Sequence, residues 1–502
     1  MAAFGRPGVY VTERLLPSSI TGTTATNAAG AIVGKFAQGP TTVTLVTSWY
    51  EFSRTFGGYD IAYPATFGVG LFFKNGGTEL YVRRVLNSSA TAAATNIVNA
   101  SAATLGTVTP LAKGADSNNL RIQFTCRDAS PTTSSYWDLA VYKEAGTDSA
   151  STADDILLEQ FPNVLLGSTT SKDYIVSVVQ AESQYISIAI TDATKFPVTT
   201  VIPLTGSSDG TAVLVADFQT AVNDFASIER PLVLFAPEVM RVMGSTDGAT
   251  IQGYLLAFAE ANAGFAVLDT AADLSVSQAT TYASGLATSS FAAVYYPNIY
   301  ISDPLGRNST SVRKAGPAGA VAGLYLTTDR DYGPFKSPAG LQYTVGGAVA
   351  LERRFTSAEL DTLNSAAKPV NAIRDIPGAG VVVMGARTLK QDGTANRYIS
   401  MRRSLNYLKK ELTQLTQFAL FQNNDERLWS QIRATVSVFL NDYRNRGGLA
   451  GGSPDEAFYV KCDAENNPDT SVAQGVVNIE VGVSLEYPAE FISITLSQKT
   501  AN

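Results

Sequence analysis

Residues 476–498, VVNIEVGVSLEYPAEFISITLSQ, constrain this chain more than any other part of it. Apolar side chains alternate along the stretch, and a period of two puts them on one face of an extended strand. Val477, Ile479, Val481 and Val483 make one such face; Ile492, Ile494 and Leu496, with Phe491 before them, make another. Pro488 lies between the two, and proline cannot donate to a ladder, so the stretch reads as two strands joined by a link. Gly482 and the interval 485–488 are candidate hinges. A strand this regular close to the end of a chain is an open edge that recruits another strand. The sequence therefore poses the question of what covers it.

The rest of the chain is globular in composition. At 502 residues it has room for two to four domains of roughly 100–200 residues each. Only 16% of residues are charged, which leaves much neutral surface for packing against other protein. A net charge of −7 argues against non-specific binding to nucleic acid, which needs a concentrated excess of Lys and Arg. Histidine is absent altogether, so the commonest general acid–base group and a common metal ligand are both missing. Cys126 and Cys462 stand far apart in dissimilar contexts and read as small thiols, not as a disulfide or metal framework. The start, MAAFGRPGVYV, has no export-signal pattern, and no apolar run approaches the length of a membrane span, so a cytosolic site of synthesis is expected.

Five segments emerge along the chain. Residues 1–19 read as an extended arm around Val9, Tyr10 and Val11. Residues 20–86 have an α/β texture: AIVGKF and TTVTLV as strands, SWYEFSRTFGG and FGVGLFFKNGG as helices, ELYVRRV as a strand. Residues 87–230 are dominated by short alternating runs such as LRIQFTC, DLAVYK and YISIAI with Thr, Ser and Gly between them, a mostly-β insertion. Acidic residues outnumber basic ones there by about two to one. Residues 231–475 return to α/β texture, with PLVLFAP, FAVLD and FAAVYYPNIYI as strands and GPAGAVAGLYLTTDR as a turn feeding a helix of small residues. Helices are predicted over 357–366, 398–417 and 425–444, and between 301 and 450 basic residues exceed acidic ones by roughly eight. Residues 476–502 form the C-terminal arm.

Tests for chemistry give little. GAIVGKF, residues 30–36, has one residue too few between its glycines for a phosphate-binding loop, and Phe36 stands where the magnesium-holding hydroxyl belongs. Asp329 and Asp331 in TTDRDYG lack further oxygen ligands at a metal-binding spacing and read as ion-pair or turn residues. Arg387, Arg402, Arg403, Lys409 and Lys410 form the one basic cluster, either a solvated helix face or an electrostatic contact with an acidic partner. No catalytic, cofactor-binding or metal residue is assigned.

Taken in order, several fragments resemble the contractile tail sheath proteins of myophages, a family related to the sheaths of R-type pyocins and contractile injection systems. They are PGVYV, AIVGKFAQGP, SWYEFSRTFGG, LFFKNGGTELYVRRV, YYPNIYI, AGLYLTTDRDYGPFKSPAG, GARTL, RYISMRRS, NNDERLW, EAFYVKCDAENNPD and YPAEFISITLSQ. The resemblance implies a mixed α/β (α+β) sheath body interrupted by an outer, mostly-β insertion, with terminal arms that add strands to sheets of neighbouring subunits. Val9, Tyr10 and Val11 would serve the N-terminal arm; Val477, Ile479, Val481, Val483, Phe491, Ile492, Ile494 and Leu496 would serve the C-terminal one. The basic cluster would face the inner tail tube. The implied partners are copies of the chain itself, the tube protein, and baseplate and tail terminator proteins, with no nucleic acid, cofactor or membrane insertion. The implied role is a non-enzymatic subunit of a virion tail, assembled in the host bacterial cytoplasm, whose helical polymer contracts to drive the tube through a cell envelope. A headless injection particle or tailocin is the alternative, and another virion structural protein a distant one.

Overall fold

The computed structural model describes residues 28–490 except 129, 145–151, 153 and 307–310. The chain begins with β1 (Ala29–Gly34), β2 (Thr44–Val46), α1 (Trp49–Phe56), α2 (Ala65–Lys74) and β3 (Leu80–Arg84), the order its sequence texture predicts. Next come β4 (Thr95–Val98), β5 (Thr104–Pro110), β6 (Leu120–Cys126), β7 (Tyr136–Lys143) and β8 (Ile156–Leu165). After them stand α3 (Ile175–Glu182), β9 (Ile186–Ile190), β10 (Ile202–Pro203) and α4 (Val215–Asn223). The body resumes with β11 (Leu232–Phe235), α5 (Val239–Met243), α6 (Ser245–Ala261), β12 (Phe265–Asp269), α7 (Val276–Gly285) and β13 (Ala292–Tyr296). It continues through β14 (Ile299–Ser302), β15 (Val312–Ala315), α8 (Ala318–Asp331), β16 (Ala348–Leu351), α9 (Ser357–Ser365), β17 (Val370–Ile376) and β18 (Gly380–Val383). A C-terminal unit follows: α10 (Ile399–Leu415), α11 (Glu426–Asn445), β19 (Phe458–Lys461) and β20 (Glu480–Val483).

The body is organised by one eight-stranded sheet in the order β18-β17-β13-β12-β11-β1-β3-β2. Its six inner strands run parallel, and β2 and β18 close the edges antiparallel. Parallel strands buried on both faces read as continuous apolar runs, which is why PLVLF and FAVLD lack polar alternation. The period of two still sorts their side chains. Val233, Phe235, Phe265, Val267 and Tyr295 enter the core shared with α2 and α8, whereas Leu232, Leu234, Ala266, Leu268 and Val294 enter the core under α4, α6, α7 and α9. Helices on both faces make this a mixed α/β fold of three layers.

The small residues of α8 have a packing reason. A Cβ at Gly319 would lie 2.1 Å from the carbonyl oxygen of Gly68 in α2, and one at Gly323 would lie 2.5 Å from the carbonyl oxygen of Phe72. The two helix backbones therefore cross at a separation that only glycine permits.

Strands β4 to β10 build two further sheets, β4-β5-β9 and β10-β6-β7-β8, around a separate core that includes Ile97, Phe124, Trp137, Val164 and Leu204. That core ends before residue 230. Phe218, Ala221, Val222 and Phe225, at the i, i+3, i+4, i+7 spacing of a helix face, pack into the main sheet's core instead. Residues of α4 thus belong with the body, and the change of texture near 230 marks the next strand, not the return of the chain.

Gly319→Ala is expected to destabilise the unassembled chain by about 1–3 kcal/mol, because backbone atoms of α2 must shift. Gly253→Ala, inside α6 with nothing within 4 Å of the added carbon, is expected to be neutral or stabilising by up to ~1 kcal/mol. Urea denaturation of the two variants checks the contrast.

Candidate assembly interface

The C-terminal unit is a helix hairpin carrying a two-stranded sheet. Asp425 caps α11 by accepting from the Leu428 N–H at 2.9 Å, and Trp429 Nε1 donates to Asn424 Oδ1 at 2.8 Å. Leu428, Trp429, Ile432, Val436, Leu440 and Tyr443 form the buried stripe of α11 against Tyr407 and Leu408 of α10. Cys462 lies within the same core, where burial pushes its thiol up to about 11. The helices lie within a residue or two of their predicted bounds.

Val477, Ile479, Val481 and Val483 pack on this hairpin within their own chain. β20 pairs antiparallel with β19, Val481 opposite Val460 and Gly482 opposite Tyr459. The loop in ENNPD fixes the register: Asn467 Nδ2 donates to the Asn478 carbonyl at 2.9 Å, and the Asn478 N–H donates back to Asn467 Oδ1 at 2.5 Å. Gly482 is less a hinge than a seat, since a Cβ there would lie 2.0 Å from the Tyr459 ring. Among the described residues no third strand pairs with either member, so both outer edges of the β19–β20 sheet are open. A two-stranded sheet is marginal by itself and gains most from an added strand.

At Tyr487 and Glu490 the stretch meets the body and is clamped there. Arg387 Nε and Nη2 donate to the two Glu490 carboxylate oxygens at 2.8 and 2.7 Å, while Arg387 Nη1 donates to the Asn364 carbonyl at 3.0 Å. A bidentate arginine–carboxylate pair fixes orientation as well as position. Tyr398, paired with Arg387 across an antiparallel bridge, stacks edge-on against Tyr487 with ring centres 6.2 Å apart. The GARTL, RYISM and YPAE segments thus meet at one point. Phe491, Ile492, Ile494 and Leu496, like Val9, Tyr10 and Val11, lie outside the described residues.

The expected exposed basic face fails for Arg387, Arg402 and Arg403, all of which are buried. Arg403 makes a bidentate pair with Asp329 of α8, its Nη1 donating at 2.7 Å, and its guanidinium lies 4.6 Å from the centre of the Tyr325 ring. Arg402 donates to Asn396 Oδ1 at 2.7 Å and lies over the Phe291 ring. Asp329, Tyr325 and Phe291 are far away in sequence, so helix periodicity gave no sign of them. Asp331, the other carboxylate of TTDRD, pairs with Arg330 and accepts from the Tyr343 hydroxyl at 2.6 Å. Lys409 and Lys410 are only half-buried. Burial, with a smaller contribution from the Lys409 charge, holds the Lys410 ammonium below its ordinary range against the opposing pull of Glu229. Glu490 is the site residue that the sequence reading missed, although it stands within the quoted YPAE motif, two residues after the link proline; Asp329 was read as an ion-pair residue, without its partner Arg403.

This layered α/β fold with its helix-hairpin unit is similar to that of solved sheath proteins. Residues 391–499 match the phage tail sheath C-terminal domain. The tail sheath protein of Vibrio phage KVP40 is 29% identical over 178 residues, 35% of this chain and 25% of that protein. The matched stretch therefore spans about a quarter of the length of that curated relative. Among solved structures, the sheath tail protein of Listeria innocua is similar with a TM-score of 0.62 at 12% identity, covering 93% of this chain and 96% of that one. The helical sheath of the anti-feeding prophage in its contracted state is similar with a TM-score of 0.59 at 19% identity, covering 99% of this chain and 100% of that one. Residues 391–499 are thus similar to a tail sheath C-terminal domain, and the fold of solved sheath proteins extends over most of the chain.

Removing one partner of the Arg403–Asp329 pair leaves the other charge buried and uncompensated. Asp329→Asn is expected to cost about 3–5 kcal/mol, while the paired change Arg403→Met with Asp329→Leu costs less than the single one. Denaturant midpoints of the unassembled variants measure both.

Proposed function

We propose that this chain is the structural subunit of a contractile tail sheath. Copies polymerise helically around an inner tail tube in a metastable extended state, then rotate into a more extensively packed lattice and drive the tube through a target envelope. The observation that carries the reading is the pairing of an edge-open β19–β20 sheet with an arm root clamped at Glu490, in a chain with the sheath fold. The clamp holds the point from which residues 491–498 leave, and the open edges are where such a strand from another copy would add. Backbone hydrogen bonds supply affinity that tolerates sequence change, and alternate apolar side chains set the register. Residues 9–11 would serve the other open edge in the same manner.

Contraction on this reading turns over no substrate. The stored free energy is the difference between two packings of the same subunits, a bistability that packed interfaces support. Contacts that repeat without closing generate a helix instead of a ring. The C-terminal unit faces the tube, and Lys409 and Lys410 are the two members of the basic cluster left for an acidic tube surface. Baseplate and terminator proteins would cap the polymer in the virion tail.

Truncation after Glu490 keeps the clamp and removes the donated strand. It is expected to give a folded, soluble monomer, with unchanged circular dichroism, that forms no tubular polymers by negative-stain microscopy. Normal helical sheaths from this variant would contradict the proposal.

A further inference from the structure

One cavity of the body lies away from the assembly interface. It has a volume of about 170 Å³ and opens where β11 and β12 end, between them and the start of α8. Crevices at the carboxyl ends of parallel strands are where such sheets hold ligands. Glu238, Asp269 and Thr270 line the cavity, with Arg241, Lys314 and Asn298 at its sides.

The polar groups there do not balance. Asp269 Oδ1 accepts from the Ala318 N–H at 2.7 Å, which accounts for one carboxylate oxygen as a cap on α8. Asp269 Oδ2 is buried and has no hydrogen-bond partner, and the same holds for the hydroxyl of the next residue, Thr270. Both residues are 3% exposed. A buried polar atom without a partner costs about 1–3 kcal/mol and calls for an occupant. The neighbouring cations are already engaged: Arg241 pairs with Glu238 at 3.0 Å, and Lys314 pairs with Asp273 at 2.6 Å and Glu352 at 2.8 Å. Four carboxylates thus face two cations, an excess of two negative charges, and Asp269 is the one carboxylate of the four that pairs with neither cation. Gly316 makes room for that carboxylate, since a Cβ on it would lie 2.3 Å from Asp269 Oδ2.

The missing partner is cationic, and the donor set narrows its class. Among the described residues no group of three or more His, Cys, Asp or Glu gathers to hold a metal, so a cage of protein ligands is absent. The cavity has room for about five waters. A small divalent cation that keeps most of its water and takes only one or two protein oxygens fits this arrangement. We propose that the cavity binds one hydrated Mg²⁺-type ion, held directly by Asp269 Oδ2 and Thr270 Oγ1 and through water by Glu238. The ion would tie the end of β12 to the start of α8.

The test uses the full-length, unassembled chain after chelation, with Mn²⁺ as a spin probe for equilibrium binding and Mg²⁺ as competitor. One Mn²⁺ per chain, displaced by millimolar Mg²⁺, is expected. Asp269→Asn is expected to abolish that site. Thr270→Val, which keeps the side-chain shape should the first variant fold poorly, is expected to weaken it at least about tenfold. No saturable site in the wild-type chain, or undiminished binding in Thr270→Val, overturns the assignment.

Discussion

The buried pair of Arg403 and Asp329 joins the two working parts of the molecule. Asp329 lies in the last turn of α8, at the centre of the body, and Arg403 lies near the start of α10, the first helix of the C-terminal unit. Their side chains are 2% and 5% exposed, and aromatic rings of both parts gather around them. Tyr325 lies under the guanidinium, while Tyr295 and Tyr325 share a hydroxyl contact of 2.6 Å. Such a pair adds little net stability over apolar residues but fixes geometry, because every misalignment leaves a charge buried and unmatched. In the proposed sheath, force passed between the C-terminal unit and the body would load this joint.

The C-terminal stretch divides its tasks on either side of that joint. Its first half folds back on α10 and α11 and builds the β19–β20 sheet, so it prepares a receiving surface. Tyr487 and Glu490, the last part of it described, are held against the body by Tyr398, Arg387 and Asn364. Pro488 stands at the transition, where a ladder has to stop. In the proposed sheath, a rigid root at each end of the link would let bodies slide while the strand connections persist.

Much of this was legible in the sequence, for reasons that differ by element. The inner strands of the sheet announce themselves because burial on two faces leaves continuous apolar runs, as in FAVLD and PLVLF. The helices α10 and α11 show apolar stripes at helical spacing, and α9 begins at Ser357 as predicted, with Thr356 as its cap. What periodicity does not carry is the partner of a charge. Arg403 meets a carboxylate 74 residues away and Arg387 one 103 residues away, so a row of arginines read as a surface turns out to be internal wiring. The same limit applies to residues 477–483, whose alternation predicts a strand and a buried face but not which sheet receives it. Asp269 escaped notice because a single acidic residue at a strand end carries no motif.

The central claim is that residues 491–498 of one copy complete the β19–β20 sheet of another. A photo-activated cross-linker placed at Ile494 in polymers assembled from equal amounts of isotopically light and heavy chains tests it most directly. The account predicts mixed light–heavy cross-links to residues 458–461 or 480–483. Cross-links confined to single chains, or none to that sheet, would contradict it.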